Sequence, residues 1–360
     1  MKKTYVTRPS IPIKSKFNKY LNDLYHSRIL TTQGKFVPML ENKLKKILGV
    51  KYLCITCNGT IALEVALKVL GVKSGVLLSP FSYVSTPNAC KWLNLKTYFS
   101  DIEERNYSID VDKIDKKLIN KIDCIMPTHV FGIEANISKL KKFASKYKKK
   151  IIYDAAHCFK INYRGKSILN NGDASILSFQ ATKIFNTCEG GAIIFKKKKD
   201  YLYAKKLINI GYNYFDNKKD SPIEGTNAKM SELHAAWGLA LLPNINKIIN
   251  KKKKIYNYYL KNLDQEKFHI INNNRNNNYN YVPVKVINKS LREKLIKKLN
   301  SKNIYPRKYF YPSLNLLKHL KGKKLKVSEN LSNKILCLPI SDEIKTKRVK
   351  FICNTLNSTN

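Results

Sequence analysis

Apolar and polar positions alternate in two rhythms along the chain. Between about residues 50 and 195, short runs rich in β-branched and other apolar residues recur at 52–56, 76–79, 95–99, 123–127, 151–154, 174–178 and 192–195. Each has the length of a buried strand. In several of the gaps the apolar spacing becomes helical, at 60–70, where Gly71 stops it, and at 138–148. Strand and helix in this order predict an α/β fold, a mainly parallel seven-stranded sheet with helices on both faces. Ligands of such sheets sit beyond the carboxyl ends of the strands. That rule directs attention to residues 58–60, 80–83, 128–132, 154–157 and 178–183.

Farther along, residues 229–242 form a helical stretch too apolar to be solvated on every side, so either the core or a partner subunit must cover it. After Pro243 a lysine-rich helix over 244–263 leads into a smaller α+β unit, with a strand over 281–286 and a helix over 291–299. The division therefore falls between a large domain, 1–243, and a small one, 244–360. Residues 272–280 are almost all Asn around Arg275 and Tyr279 and read as a mobile, polar loop.

The composition adds one anomaly, a net charge of +43 over 360 residues. Nucleic-acid binding is the first inference from such a number. It weakens on inspection, because sixty of the basic residues are lysines and only eight are arginines, and the lysines are spread along the chain. Phosphate and base readers favour the arginine fork, so the excess reads as lysine-rich coding bias. Thr4 to Ser10 is polar and no apolar run is long enough to span a bilayer, so neither secretion nor membrane insertion is expected. The eight cysteines are scattered through apolar stretches, as reduced thiols of a cytoplasmic protein would be. The spacing of Cys54 and Cys57 alone makes neither a zinc site nor a redox pair, and no metal is expected.

Chemistry concentrates at the predicted strand ends. Asn58, Gly59 and Thr60 pass from a strand through a permissive turn into a helix, whose free amides suit a phosphate, although the same residues make an ordinary turn and cap. Asp154 ends a buried strand before Ala155, Ala156 and His157. A carboxylate there needs a cationic partner, such as a protonated pyridine nitrogen, or caps the next helix. Lys183 follows an apolar strand and Ser178, beside Thr182 and ahead of the Gly190-Gly191 pair. A lysine in a desolvated pocket has a lowered pKa and attacks carbonyls, so a Schiff-base lysine becomes credible.

Taken together, these residues resemble the pyridoxal-phosphate aminotransferases of fold type I, specifically the nucleotide-sugar aminotransferases called the DegT family. The resemblance is dense over residues 30–242. Its elements stand in family order: Leu30-Thr31-Thr32-Gln33-Gly34, Asn58-Gly59-Thr60-Ile61-Ala62-Leu63, Pro80-Phe81-Ser82-Tyr83-Val84-Ser85-Thr86, His129-Val130-Phe131-Gly132, Asp154-Ala155-Ala156-His157, Ser178-Phe179-Gln180-Ala181-Thr182-Lys183, Glu189-Gly190-Gly191 and Asn227-Ala228-Lys229-Met230-Ser231-Glu232.

The resemblance implies the cofactor pyridoxal 5′-phosphate, bound as a Schiff base by Lys183, which also shuttles the proton. It implies that Asp154 pairs with the pyridinium nitrogen, His157 lies near the ring hydroxyl and Tyr83 stacks on the ring. Gly59, Thr60 and Ser178 would hold the phosphate, joined by Asn227 from the neighbouring subunit of a homodimer with shared active sites. That dimer would also give the apolar helix after Lys229 something to pack against. His129, Glu189, Arg307, Tyr309 and Tyr311 are the substrate candidates. Members that replace the lysine with histidine are dehydratases, and Lys183 is retained. The segments 6–12, 181–187 and 307–312 look most like enzymes aminating dTDP-4-keto-6-deoxyglucose at C4, with glutamate as amino donor, rather than those acting at C3. Gln180, where histidine is common, Lys160, where a small residue is common, and the Asn-rich loop depart from the pattern.

Overall fold

The computed structural model describes residues 3–32, 34–212, 223–271 and 277–359. Gln33, Arg275 and the rest of 272–276 lie outside them. All seven expected strands form one sheet: β1 (Tyr52–Thr56), β2 (Gly75–Leu78), β3 (Lys96–Phe99), β4 (Cys124–Met126), β5 (Lys150–Asp154), β6 (Ala174–Ser178) and β7 (Gly191–Phe195), in the order β1-β7-β6-β5-β4-β2-β3. Only β7 runs antiparallel to its neighbours, paired with both β1 and β6.

Side-chain alternation explains why these runs carry so little polarity. Leu53, Ile55, Leu77, Ile125, Ile151, Tyr153 and Leu177 enter the core on one face. Cys54, Val76, Leu78, Cys124, Met126, Ile152 and Ile176 enter the core on the other. Both faces are covered, so neither set is polar. The eight cysteines are free thiols, six of them buried.

Helices α1 (Lys14–Ser27), α2 (Phe36–Leu48) and α7 (Glu232–Leu241) pack together on the first face. Most apolar side chains of α7 are thus covered by its own chain, while Leu233 stays exposed. Gly238 permits this closeness, since a Cβ there would meet Thr187 Cγ2 at 2.7 Å. Helices α3 (Gly59–Val69), α4 (Ser85–Trp92) and α6 (Lys198–Leu207) cover the other face, and α5 (Ile137–Lys146) adds to the first.

Helix α8 (Ile245–Asn262) bridges to a second core, feeding Ile248 to the first and Ile255, Tyr256 and Tyr259 to the second. A three-stranded antiparallel sheet stands there, β8 (His269–Ile270), β9 (Val282–Lys285) and β10 (Ile335–Leu338), with α9 (Lys289–Ser301) and α10 (Thr346–Asn357) against it. The start of the chain also touches this unit: Thr4 and Tyr5 pair in parallel with Ile304 and Tyr305, and Ser10 Oγ bonds Asp342 Oδ1 at 2.6 Å. An apolar cluster including Phe81, Phe131, Tyr281, Phe310 and Ile335 seals the two units against one another.

The Asn-rich stretch departs from the expected mobile loop. Where it is described, Asn278 and Asn280 are each 2% exposed and bonded to the large unit. Repeated Asn looks like solvated loop in a sequence, yet an amide can be buried once both its donor and acceptor are satisfied.

Candidate active site

The antiparallel insertion of β7 creates the site. Gly191 stands opposite Thr56 of β1 and Ser178 of β6, so two strand ends and one strand start meet at the same edge of the sheet. A Cβ on Gly191 would lie 2.6 Å from the Asn58 carbonyl carbon, and one on Gly59 would meet Ser178 Cβ at 3.0 Å. The close approach of these turns therefore depends on glycine. Asn58 caps α3 through Oδ1, which accepts from the Ile61 amide at 2.9 Å, and orients the first turn toward the opening.

A cavity of about 410 Å³ lies over this edge, lined among others by Gly59, Thr60, Tyr83, Asp154, His157, Ser178, Lys183 and Glu189. At its floor Asp154 is 6% exposed; Oδ2 accepts from Thr86 Oγ1 at 2.7 Å and Oδ1 from the Ala156 amide at 3.2 Å. Ser82 and Thr128 continue the hydroxyl chain behind Thr86. Each oxygen of this buried carboxylate thus has a donor from the protein, and the residue also lines the cavity.

The Lys183 turn is closed by Gln180, whose Oε1 accepts from the Thr182 amide at 2.9 Å and from its hydroxyl at 2.6 Å. Burial lowers the Lys183 pKa to about 8, with the Asp154 carboxylate opposing. An appreciable fraction is then neutral amine near neutral pH. His157 accepts the Phe131 amide at Nδ1, 3.0 Å away, and burial followed by the Lys183 charge pushes its pKa well down.

The other candidates are spread more widely. Tyr83 is 57% exposed at the cavity mouth. Tyr309 lines both this cavity and an adjoining recess of about 580 Å³, which contains Arg307, Lys308 and Tyr311. The Arg292 guanidinium lies 4.4 Å from the Tyr311 ring centre. Asn227 is exposed, accepts Lys229 Nζ at 2.7 Å and does not line the cavity of its own chain. His129 also lies outside the cavity, wholly buried, stacked on Tyr153 and accepting the Ala135 amide at Nδ1. Burial depresses its pKa to about 3. Lys160 has φ 58°, a left-handed backbone where a side chain is strained.

The sequence assigned no role to Thr86, Tyr281 or Phe310, although Thr86 ends the 80–86 element and Phe310 lies within 307–312. A hydroxyl in the first turn of a short helix and an aromatic just ahead of a strand carry no signal of their own, since their partners lie 68 and 98 residues away. Among the described residues no cluster of His, Cys, Asp and Glu could hold a metal, and no helix is long and apolar enough to cross a membrane.

A mainly parallel sheet whose strand-end cavity combines a desolvated lysine, a buried aspartate and a glycine-lined helix start defines a pyridoxal-phosphate-dependent transferase of fold type I. DesI, crystallised in the presence of its TDP-sugar product, superposes with a TM-score of 0.93 at 26% identity, over 99% of this chain and 93% of that one. The profile of the DegT/DnrJ/EryC1/StrS aminotransferase family matches residues 12–357, and the chain belongs to that family. It is similar to the dTDP-4-amino-4,6-dideoxy-D-glucose transaminases of Shigella dysenteriae (33% identity; 99% of this chain, 98% of that enzyme) and Escherichia coli (34%; 96% and 97%). The GDP-perosamine synthase of Escherichia coli O157:H7 is 28% identical over 99% of this chain and 98% of that enzyme. The protein is a sugar aminotransferase.

Proposed function

We propose that this aminotransferase moves the amino group of glutamate to C4 of a nucleotide-linked 4-keto-6-deoxyhexose, dTDP-4-keto-6-deoxy-D-glucose in the first instance, releasing 2-oxoglutarate. One observation carries the reading: Lys183 and Asp154 open onto one cavity beside the first turn of α3. The names of the relatives supply the sugar. In this reading residues 1–243 form the cofactor domain and 244–360 the smaller one, and the enzyme works in the cytoplasm.

The residues fit the cofactor. Asp154 would accept a hydrogen bond from its ring nitrogen, Tyr83 would cover the ring and His157 would face the ring hydroxyl. Gly59, Thr60 and Ser178 would receive the phosphate where a Cβ at residue 59 would crowd Ser178. When bound, the cofactor supplies an electrophilic carbon and a ring that withdraws electrons. Lys183 would take a proton at Nζ from the donor's α carbon side and return it on the other. Glu189, Tyr309 and Tyr311 would line the sugar path, with Arg307 toward the substrate diphosphate.

A homodimer completes the reading. Val37, Pro38, Ile208, Tyr212 and Met230 line a recess beside Lys229, and Leu30, Ile210 and Leu233 are exposed apolar side chains of the same segments. A second copy seated there would bring Asn227 toward its neighbour's phosphate. The test incubates purified protein with pyridoxal phosphate, glutamate and dTDP-4-keto-6-deoxyglucose and locates the new nitrogen by NMR. Nitrogen at C4, lost in Lys183→Ala together with the visible absorbance of the bound cofactor, is expected. Nitrogen at C3, or no turnover, overturns the proposal.

A further inference from the structure

Behind the cavity, residues 278–281 of the smaller unit converge on the backbone that carries the site. Asn278 Nδ2 donates to the carbonyls of His157 and Phe159, at 2.9 and 3.1 Å. Asn280 Nδ2 donates to the carbonyl of Thr182 at 3.3 Å, and its Oδ1 accepts Nζ of the buried Lys252 at 2.7 Å. Tyr281 comes next, and its hydroxyl lies 3.3 Å from Lys183 Nζ. The phenol ring is walled by His157 at 4.5 Å and Phe131 at 5.7 Å between ring centres, so its direction is fixed by packing.

We infer that Tyr281 is a further catalytic residue, whose hydroxyl holds Lys183 Nζ in both of its charge states, with Asn280 and Lys252 as positioning residues. The ammonium donates an N–H to the phenol oxygen; the neutral amine accepts the phenol O–H at its lone pair. No bond to carbon changes and no proton is lost between them. A lysine on a flexible four-carbon stem needs such a partner whenever it is released from the cofactor, and a hydroxyl can both accept and donate. Burial raises the Tyr281 pKa, so the phenol keeps its proton while Lys183, near 8, exchanges its own. The inference rests on Lys183 being the cofactor lysine.

Other titratable groups line the same cavity and enter the test: Asp154 at the end of β5 and His157 after it, Tyr83 before α4, Glu189 on the lysine's own loop and Tyr309 from the small unit. The measurement is pulse acetylation of the apoprotein across pH, with Lys183 modification read by peptide mass spectrometry. In Tyr281→Phe the ammonium loses its acceptor, so the reactivity midpoint should fall by roughly half to one pH unit. With cofactor and substrates, kcat should fall about tenfold with KM little changed. Lys252→Met, read in the same way, should shift the midpoint in the same direction but less. An unshifted midpoint in a Tyr281→Phe protein that melts like wild type and still takes up pyridoxal phosphate overturns the role of Tyr281 alone. A wild type that takes up no cofactor overturns both this inference and the function on which it rests.

Discussion

The Thr86 hydroxyl donates to Asp154 Oδ2 at 2.7 Å, from the helix that follows β2, two strands away in the sheet, and so orients the carboxylate at the cavity floor. Thr86→Val keeps the shape and removes that donor. A hydrogen bond to a charged group contributes about 1.5–3 kcal/mol, so kcat should fall roughly tenfold or more. Thr86→Ser should recover most of it, and steady-state kinetics on the three proteins decides the matter.

Apoprotein stability should carry the signature of the buried lysine. Lys183 titrates near 8 in the folded chain against 10.5 for an ordinary lysine. Below pH 8 both states are charged and the fold bears the cost of burial. Between about 8 and 10.5 the unfolded chain binds more protons, so this group's contribution to stability rises with pH; above that window it is constant. Lys183→Met should therefore be more stable than wild type at pH 7. The gap should shrink by roughly 1–3 kcal/mol by pH 10.5, as urea midpoints would show.

His157 should be neutral with its proton on Nε2, because Nδ1 is occupied by the Phe131 amide and burial disfavours the cation. Imidazole nitrogen NMR should show that tautomer, unchanged from pH 8 down to pH 5. A titrating ring in this range contradicts the geometry.

Gly191→Ala tests the junction of the three strands. Its methyl would meet the Asn58 carbonyl carbon at 2.6 Å and displace the turn into α3. A loss of about 1–3 kcal/mol in stability is expected, with pyridoxal phosphate affinity weakened more than tenfold; equilibrium unfolding and cofactor titration measure the two.

Asn278→Ala would strand two buried carbonyls, those of His157 and Phe159. The expected cost is about 2 kcal/mol. Since those carbonyls belong to the turn after β5, the cofactor should also exchange faster, which stopped-flow displacement would report.

The strands were legible because both faces of the sheet are covered, leaving runs such as residues 151–154 and 192–195 almost without polar interruption. Asp154 and Lys183 were legible because each sits within a few residues of its own strand end. His129 shows the limit of that logic: it follows a strand as Asp154 does, but its ring turns beneath the sheet edge and stacks on Tyr153. Thr86, Lys252, Asn280 and Tyr281 act through partners far away in the chain. No periodicity encodes such meetings, and an Asn-rich segment carries the pattern of a solvated loop whether or not its amides find partners.

The joint between the two units includes the Asn278 and Asn280 amides and the apolar cluster around Phe81 and Phe310, with the buried Asp101 carboxylate accepting the Val327 and Ser328 amides. A surface with an excess of 43 positive charges repels itself at low ionic strength and relaxes as salt rises. Uncharged contacts are indifferent to that change, and a buried carboxylate is screened little. The seating of the smaller unit over Lys183 is thereby insulated from the ionic composition around the protein, and salt acts on the approach of an anionic substrate instead.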